Sequence, residues 1–174
     1  YRLDEAKETA IYQWISSVLK IETIWDKPNA LRPALPYATM NISLGSRSTG
    51  APEEIYKALD TFTYPNRKVM TLTVNIYADN AYLAYMEKLI NSINLPSVQD
   101  KLYAAGMAVW DHSDPVDIST LLDTKYEYRV SIDIFIAYAV DADDTPGEIQ
   151  RVSIDGAVND TGGDLTFHQT IGET

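Results

Sequence analysis

Apolar and polar residues alternate along three separate segments, residues 37–44, 68–78 and 126–140. A period of two is typical of strands with one buried and one polar face. The third segment is roughly three times the usual strand length of about 5–6 residues, so we expect it to extend beyond the core of its own subunit. The apolar members are Ala38, Met40, Ile42, Leu44, Met70, Leu72, Val74, Ile76, Tyr128, Val130, Ile132, Ile134 and Ile136.

Helical periodicity appears in two longer segments and one short one. In residues 4–20, Ile11, Trp14, Ile15 and Val18 recur at spacings of three and four. Residues 79–93 carry a similar apolar face, with an N-cap predicted at residues 79–80 and an end at Pro96. The third helix is predicted to open with a capping box at Ser97, to run through residue 105 and to stop at Gly106.

The remaining segments predict shorter strands and one long connection. Residues 21–27, 107–111 and 148–158 are strand candidates. Residues 45–66 are interpreted as a long connection with a helical turn at residues 52–59, and connections of that length are disordered or functional.

This order of elements predicts an α+β fold. We expect a mixed, mostly antiparallel sheet of four to six strands with the two main helices packed on one face. The opposite face carries Thr, Asn, Ser, Arg and Asp, so it is either solvated or meets a polar partner. Residues 1–158 are interpreted as one domain, and residues 159–174 as an extended C-terminal tail.

Charged residues are unevenly distributed along the chain. The 174-residue chain has a formal net charge of −11, and all of that excess lies after residue 106, since residues 1–106 hold 11 acidic and 11 basic residues. The net negative charge disfavours a nucleic-acid-binding protein, because phosphate binding depends on Lys and Arg.

The absence of cysteine excludes disulfides, thiolate zinc sites and cysteine nucleophiles. Neither a membrane-spanning apolar run nor a signal peptide is expected.

The sequence offers only weak candidates for a catalytic, metal-binding or phosphate-binding site. Asp111, His112, Asp114 and Asp117 could ligate a metal ion, but their spacing matches no metal motif and an acidic turn is favoured. Asp141, Asp143 and Asp144 are likewise interpreted as a solvated acidic turn rather than a calcium site. Residues 45–50 lack the Lys-Ser/Thr of a phosphate-binding loop. We therefore predict no catalytic residue, no cofactor and no metal site.

Twelve tyrosines are many for this length, and several lie on predicted strands. Tyrosine suits positions where one end is buried and the other is wet, which describes both core edges and subunit interfaces. Both interpretations stay open at this point.

In order along the chain, several segments resemble the tail terminator (neck) proteins of long-tailed bacteriophages. After the N-terminal helix come the strand Ile24-Trp25-Asp26, two further strands at residues 36–42 and 69–77, and the segments 102–109 and 117–119. Residues 126–134 resemble the family's strand of an aromatic residue, an acid, any residue, Arg and then alternating small and apolar residues. Tyr128 stands where that pattern favours proline. The resemblance covers residues 5–158.

The resemblance implies a non-enzymatic virion protein, assembled in the host cytoplasm, that forms a ring of six subunits. Such a ring terminates the tail tube and joins it to the head–tail connector, with DNA passing through its lumen. The implied partners are other copies of the chain, the tail tube protein and connector or neck proteins, with the tail sheath a further candidate, but no membrane and no specific nucleic acid. Candidate interface residues are Arg47, Tyr64, Arg67, Tyr126, Tyr128 and Arg129, and candidate acidic lumen residues are Asp111, Asp114, Asp117, Asp141, Asp143 and Asp144.

Three alternatives stay open from the sequence. Another tail-tube or connector subunit would share the virion role, but a tube subunit would give filaments where a terminator gives closed rings. A small metal-dependent hydrolase would use Asp111, His112, Asp114 and Asp117. The negative charge also permits a protein that mimics DNA. This alternative is disfavoured, because such a mimic would not need the neutral first 106 residues with their regular apolar pattern.

Overall fold

The computed structural model describes residues 3–27, 29, 31–48, 55–58, 61–122, 125–144, 152–160 and 163–171. The elements in chain order are α1 (Glu5–Leu19), β1 (Glu22–Trp25), β2 (Tyr37–Ser48), β3 (Ile55–Ala58), β4 (Thr61–Tyr77), α2 (Tyr82–Ile93), α3 (Pro96–Ala104), β5 (Met107–His112), β6 (Val116–Asp117), β7 (Thr120–Leu122), β8 (Lys125–Glu127), β9 (Arg129–Asp144), β10 (Val152–Asp160) and β11 (Gly163–Ile171).

The main sheet has the strand order β1-β2-β4-β9-β5, with β3 attached to β4 and β6 attached to β9. β1 pairs with β2 in parallel, and every other pairing in this sheet is antiparallel. β4 and β9 form its centre, in register from Phe62 opposite Asp144 to Tyr77 opposite Arg129. The predicted α+β fold with a mixed, mostly antiparallel sheet is therefore confirmed.

All three helices contribute to one core on one face of this sheet. Period-two alternation places Met70, Leu72, Val74 and Ile76 of β4 on the helix side, where each is fully buried. Helix side chains that pack into the same core include Ile11, Trp14, Ile15, Leu19, Met86, Leu89, Ile93, Val98 and Leu102. We call this side of the sheet the helix face and the opposite side the polar face.

β4 and β9 continue well past the core. The fully buried side chains of β4 begin at Met70, so residues 61–69 extend about 30 Å further at the usual rise per strand residue. Residues 137–144 of β9 accompany them, and β3 pairs with the start of β4. We call this extension the arm. Its length agrees with the expectation that a strand runs beyond the core.

The long predicted strand at residues 126–140 is interrupted. Residues 125–127 pair with β7 in a separate two-stranded sheet, and β9 begins only at Arg129. The break falls at Tyr128, where the resembled pattern favours proline, a residue that cannot donate to a strand ladder. The prediction of one continuous strand was wrong at this end, because alternation of side chains does not report a change of pairing partner.

The interpretation of residues 45–66 as a long connection with a helical turn was also wrong. β2 continues to Ser48, residues 55–58 are a strand, and β4 already begins at Thr61. Ile55 and Tyr56 pair with Thr63 and Phe62, and such β-branched and aromatic residues favour strands. The remainder of the predicted turn lies outside the described residues.

Two predicted helix caps differ from the structure. The N-cap of α2 is Ala81, which makes no side-chain capping hydrogen bond, rather than residues 79–80. The N-cap of α3 is Leu95, also without a side-chain cap, because Pro96 occupies the first turn in place of the predicted capping box at Ser97. By contrast, Asp4 caps α1 through a 3.3 Å bond from the Ala6 amide to its Oδ1 atom.

Gly106 ends α3 as predicted, with a φ of +71° and no atom within 4 Å of the position that a Cβ would occupy. Replacing Gly106 with alanine should therefore destabilise the fold by about 1 kcal/mol, from the left-handed backbone rather than from a clash. Chemical denaturation of the wild type and Gly106→Ala would measure this difference. Unchanged or increased stability would contradict the assigned backbone strain.

The C-terminal part forms a hairpin of its own. β10 and β11 pair antiparallel from Val152 opposite Ile171 to Asp160 opposite Gly163. Part of the predicted strand at residues 148–158 is thus confirmed, and residues predicted as an extended tail form its partner strand. Among the described residues, no helix is long and apolar enough to cross a bilayer.

Candidate functional site

The polar face is organised in cross-strand rows that start from the end where β9 begins. In the first row, Tyr37, Tyr77 and Arg129 lie side by side on β2, β4 and β9. The Tyr37 and Tyr77 rings stack at a centroid distance of 4.6 Å, and the Arg129 guanidinium carbon lies 5.0 Å from the centre of the Tyr77 ring. This row joins three strands through aromatic and cation–π contacts.

Hydrogen bonds connect this row to the next one. Arg129 donates from Nη2 to Asn75 Oδ1 at 3.2 Å, and Asn75 donates from Nδ2 to Thr39 Oγ1 at 3.4 Å. Arg129 Nε is buried and has no hydrogen-bond partner among the described residues. Burial raises the pKa of Tyr37, with nearby Arg32 acting in the opposite direction. This corner of the polar face is packed, so its residues hold the strands together.

Carboxylates follow along the same face. Asp133 lies on β9 in register with Thr73, whose hydroxyl donates to Asp133 Oδ1 at 2.6 Å. Asp111 pairs with Phe135, and Asp141 pairs with Pro65 further along the arm. Asp143 accepts a 2.6 Å bond from the Thr63 hydroxyl. Because odd-numbered residues of β9 point to the polar face, these four carboxylates lie on one side of the sheet.

Asp114 and Asp117 do not join them. Asp117 pairs in register with the buried Val130, on the helix face, and accepts a 2.7 Å bond from the Tyr82 hydroxyl. Asp114 is an exposed loop residue. Asp144 ends β9 in register with Phe62, and its side chain lies outside the described residues. The structure therefore groups Asp111, Asp141 and Asp143 but separates them from Asp117.

Asp117 organises the loop between β6 and β7. Its Oδ1 atom accepts from both the hydroxyl and the backbone amide of Ser119, and the Ser119 hydroxyl accepts from the Arg129 amide at 2.9 Å. These bonds from Ser119, followed by the bond from Tyr82, lower the pKa of Asp117, while Asp117 raises the pKa of Tyr82. Asp117 thus connects this loop to α2 and to the start of β9.

Removing one of these donors should be visible in a titration. In Tyr82→Phe, the pKa of Asp117 should rise toward the ordinary value of 3.8, because the carboxylate loses a hydrogen bond that favours its charged form. Carboxyl-carbon NMR would follow it directly. Since the folded pKa is depressed, the contribution of this loop to stability is complete above about pH 4 and is lost as the pH falls through the folded pKa. An unchanged Asp117 pKa would contradict the assigned bond.

The residues proposed for a metal site are not arranged as ligands. His112 Nδ1 lies 2.8 Å from the Ser113 carbonyl oxygen, and Asp111 Oδ1 accepts from the His112 amide at 2.8 Å. Asp117 is engaged with Ser119 and Tyr82. In the described part of the chain, no group of three or more His, Asp or Glu side chains could hold a metal ion.

The predicted interface residues fall into two groups. Tyr126, Tyr128 and Arg129 lie near the start of β9, where the Tyr128 ring contacts Tyr126 at 4.9 Å and Tyr82 at 5.4 Å between ring centroids. Tyr64 and Arg67 lie in the arm, in register with Ala142 and Ala139. Arg47 lies near the end of β2, and its side chain is outside the described residues.

Sequence reasoning missed two residues of the polar face, Asp133 and Asn75, and the stacking of Tyr37 on Tyr77. Asp133 shares odd parity with Asp141 and Asp143, so the strand pattern already contained that signal. The contact of Tyr37 with Tyr77 depends on register between two strands, which alternation within each strand does not specify.

The end of the sheet where β9 begins carries exposed apolar side chains on three loops. We call residues 31–36, 79–83, 113–122 and 125–128 the loop end. Arg32 Nη1 lies 3.5 Å from Glu127 Oε1, and the Tyr82 hydroxyl donates to Asp117, so the first segment is joined to the fourth and the second to the third. Its exposed large apolar residues are Leu31, Leu35, Leu83, Val116, Ile118, Leu121 and Tyr126.

Comparison with known proteins agrees with this architecture. No curated protein matches the chain. The family model of the phage neck terminator protein matches residues 6–163, which is most of the 174-residue chain. The chain therefore belongs to the phage neck terminator protein family and is a structural protein of the phage tail and neck.

Proposed function

We propose that the protein forms a closed ring that ends the tail tube and connects it to the head–tail connector, with DNA passing through the lumen. Six subunits are the number that the family resemblance implies. Closed rings of identical subunits require a heterologous contact, in which two different surfaces of the chain meet around the ring. The arm supplies an extended element that could reach a neighbouring subunit.

The observation that carries the lumen assignment is the row of carboxylates on the polar face. Asp111, Asp133 and Asp141 lie on the side of the sheet opposite the helices. With Asp143, and with Glu22 of β1 in register with Tyr37, they make five carboxylates against the guanidinium groups of Arg67 and Arg129 among the described side chains of this face. A ring with its helices outside and this face inside would repel DNA and let it slide without binding.

The loop end supports contact with another ring of the neck. Contiguous exposed apolar surface on a soluble protein is typical of an interaction site. Val116 and Leu121 are 55% and 64% exposed, and the nearby Asp117 is already hydrogen-bonded within the chain. We propose that this end docks on the tube or the connector, while the polar face remains free for the lumen.

Tube growth offers the functional test. Purified tube protein of the same phage should elongate into tubes, and this chain added in small amounts should stop elongation and cap tube ends, as seen by electron microscopy. Alone, it should give rings rather than filaments, which separates a terminator from a tube subunit. Continued elongation in its presence, or filaments of the chain itself, would contradict the proposal.

A surface variant separates docking from ring formation. Leu121→Asp should weaken capping while leaving the mass of the assembly unchanged, because Leu121 is exposed at the loop end. Leu95→Asp is a matched control, since Leu95 is 48% exposed but lies between α2 and α3. Equal loss of capping in both variants would contradict the assignment of the loop end.

A further inference from the structure

The main sheet leaves part of its β2 edge open. β1 accompanies β2 only from Tyr37 to Met40, and the last bond on that side runs from the Asp26 amide to the Met40 carbonyl oxygen at 2.7 Å. Among the described residues, no strand pairs with β2 on this side after Met40, although β2 continues to Ser48. The amide and carbonyl of one strand residue point to the same side, so those of Ile42 and Leu44 point to this open edge.

A groove lies along this edge. Its volume is about 440 Å³, and it is lined on the helix face by Trp25, Met40, Ile42 and Leu44, with Leu3 and Lys27 also contributing. Ile42 and Leu44 are only half-buried, unlike Met40. A strand placed beside Ile42 and Leu44 would both continue the sheet and cover apolar surface that the chain itself leaves accessible.

The sheet has a second open edge, along β9 at the end of the strand order away from β2. β5 pairs with β9 only as far as Tyr138, opposite Met107, and no described strand pairs with β9 on that side beyond it. Because the Ser113 amide donates to the Asp133 carbonyl oxygen on this side, odd-numbered residues of β9 direct their backbone groups there. The backbone of Ala139 and Asp141 therefore points outward from the arm.

We propose that the edge of β2 in one subunit pairs with residues 139–144 of β9 in the next subunit, so that the sheet continues around the ring. This inference rests on the ring proposed above and identifies its contact. The two edges lie on opposite sides of one chain, as a heterologous contact requires. β2 and β9 also run in the same direction, so rotation about an axis parallel to the strands makes the new pair parallel.

The side-chain pattern of the two edges is compatible with this pairing. On the helix face, Val140 and Ala142 of one subunit would continue the row of Ile42 and Leu44 and enter the groove. On the polar face, Ala139 and Asp141 would lie beside Asn41 and Ser43, all four exposed in the single chain. Apolar residues thus meet apolar residues, and the carboxylates of the arm stay on the lumen face of the proposed ring.

Disulfide trapping tests the contact on a chain without cysteine. The double variant Ser43→Cys with Asp141→Cys should give, on oxidation, a ladder of covalently joined subunits up to the size of the ring. Within one chain, Ser43 aligns through Thr71 with Phe135, six residues before Asp141, so the two sites lie roughly 20 Å apart and cannot join internally. Ser43→Cys with Ala108→Cys is the control, because Ala108 lies on the edge of β5.

The outcomes separate this contact from the ring itself. A ladder in the test pair only would support edge pairing. Rings of normal mass with no ladder, or with a ladder in the control pair alone or in both pairs equally, would overturn it and leave the ring intact. A chain that stays monomeric at every concentration would overturn the ring proposal and this contact with it.

Hydrogen exchange gives an independent measurement on the unmodified chain. The amides of Ile42 and Leu44 should exchange at least tenfold more slowly in the assembled fraction than in dilute monomer, because they become ladder donors. The Gly106 amide, which donates to the Tyr103 carbonyl oxygen at 2.8 Å just after the end of α3, should change little. Equal exchange of Ile42 and Leu44 in both fractions would contradict the pairing.

Discussion

Replacing Trp14 with alanine should lower the free energy of unfolding by about 3–5 kcal/mol, the usual range for removing a large buried aromatic side chain. Trp14 is 2% exposed and packs in the core shared by α1, α2 and the sheet. Its Nε1 atom also donates a 2.9 Å bond to the Ser92 hydroxyl, which itself donates to the Leu89 carbonyl oxygen at 2.6 Å. Denaturant unfolding followed by circular dichroism would measure the loss.

Two further variants divide this effect between packing and hydrogen bonding. Trp14→Phe keeps much of the buried ring and should cost less than the alanine variant. Ser92→Ala removes the acceptor and leaves the indole N–H buried without a partner, for a loss of about 1–3 kcal/mol. A loss below 1 kcal/mol in Trp14→Ala would contradict the placement of Trp14 in the core with a hydrogen bond to Ser92 of α2.

Reversing charge on the polar face should convert a ring that does not bind DNA into one that does. The double variant Asp111→Lys with Asp141→Lys changes two exposed positions of that face by four charge units per chain. Repeated around a ring, the added lysines would surround the lumen. Binding of linear duplex should then appear at low salt and fall steeply as salt rises, because each neutralised phosphate releases counterions. Fluorescence anisotropy at several salt concentrations would measure it.

The control variant carries the same change of charge on the outer wall. Glu87 and Asp100 are exposed residues of α2 and α3, and Glu87→Lys with Asp100→Lys matches the test variant in net charge. A site inside a preformed ring accepts linear DNA but cannot be threaded by a closed circle, whereas an outer site binds both. If the test variant bound linear and closed circular DNA equally well, the polar face would not line the lumen.

The neck terminator fold was largely predictable where strand and helix periodicities are clean. Ile11, Trp14 and Ile15 share one side of a helix at any register, and Met70, Leu72 and Val74 share one side of any strand, so the core followed from the pattern alone. The start of β9 did not, because Tyr126 and Val130 keep the same alternation although they belong to different sheets. Pairing partners are set by tertiary contacts that period-two alternation does not report.

The candidate site was less predictable than the core. Nearness in sequence grouped Asp111 with Asp117, but a two-residue strand places Asp117 on the helix face and ties it to Tyr82. Conversely, Asp111 and Asp141 are far apart in sequence and share the polar face through β9. The arm was only partly predicted, because the start of β4 contains Tyr64-Pro65-Asn66, which favours turns on local propensity.

The mass of the native assembly, measured by light scattering with electron microscopy of the same sample, is the sharpest test of ring formation. We expect closed rings near six times the chain mass of 19.5 kDa, about 117 kDa. Their mass should not grow further with protein concentration, because a heterologous contact that closes leaves no free surface for another subunit. A stable monomer at high concentration, or filaments of increasing length, would contradict it.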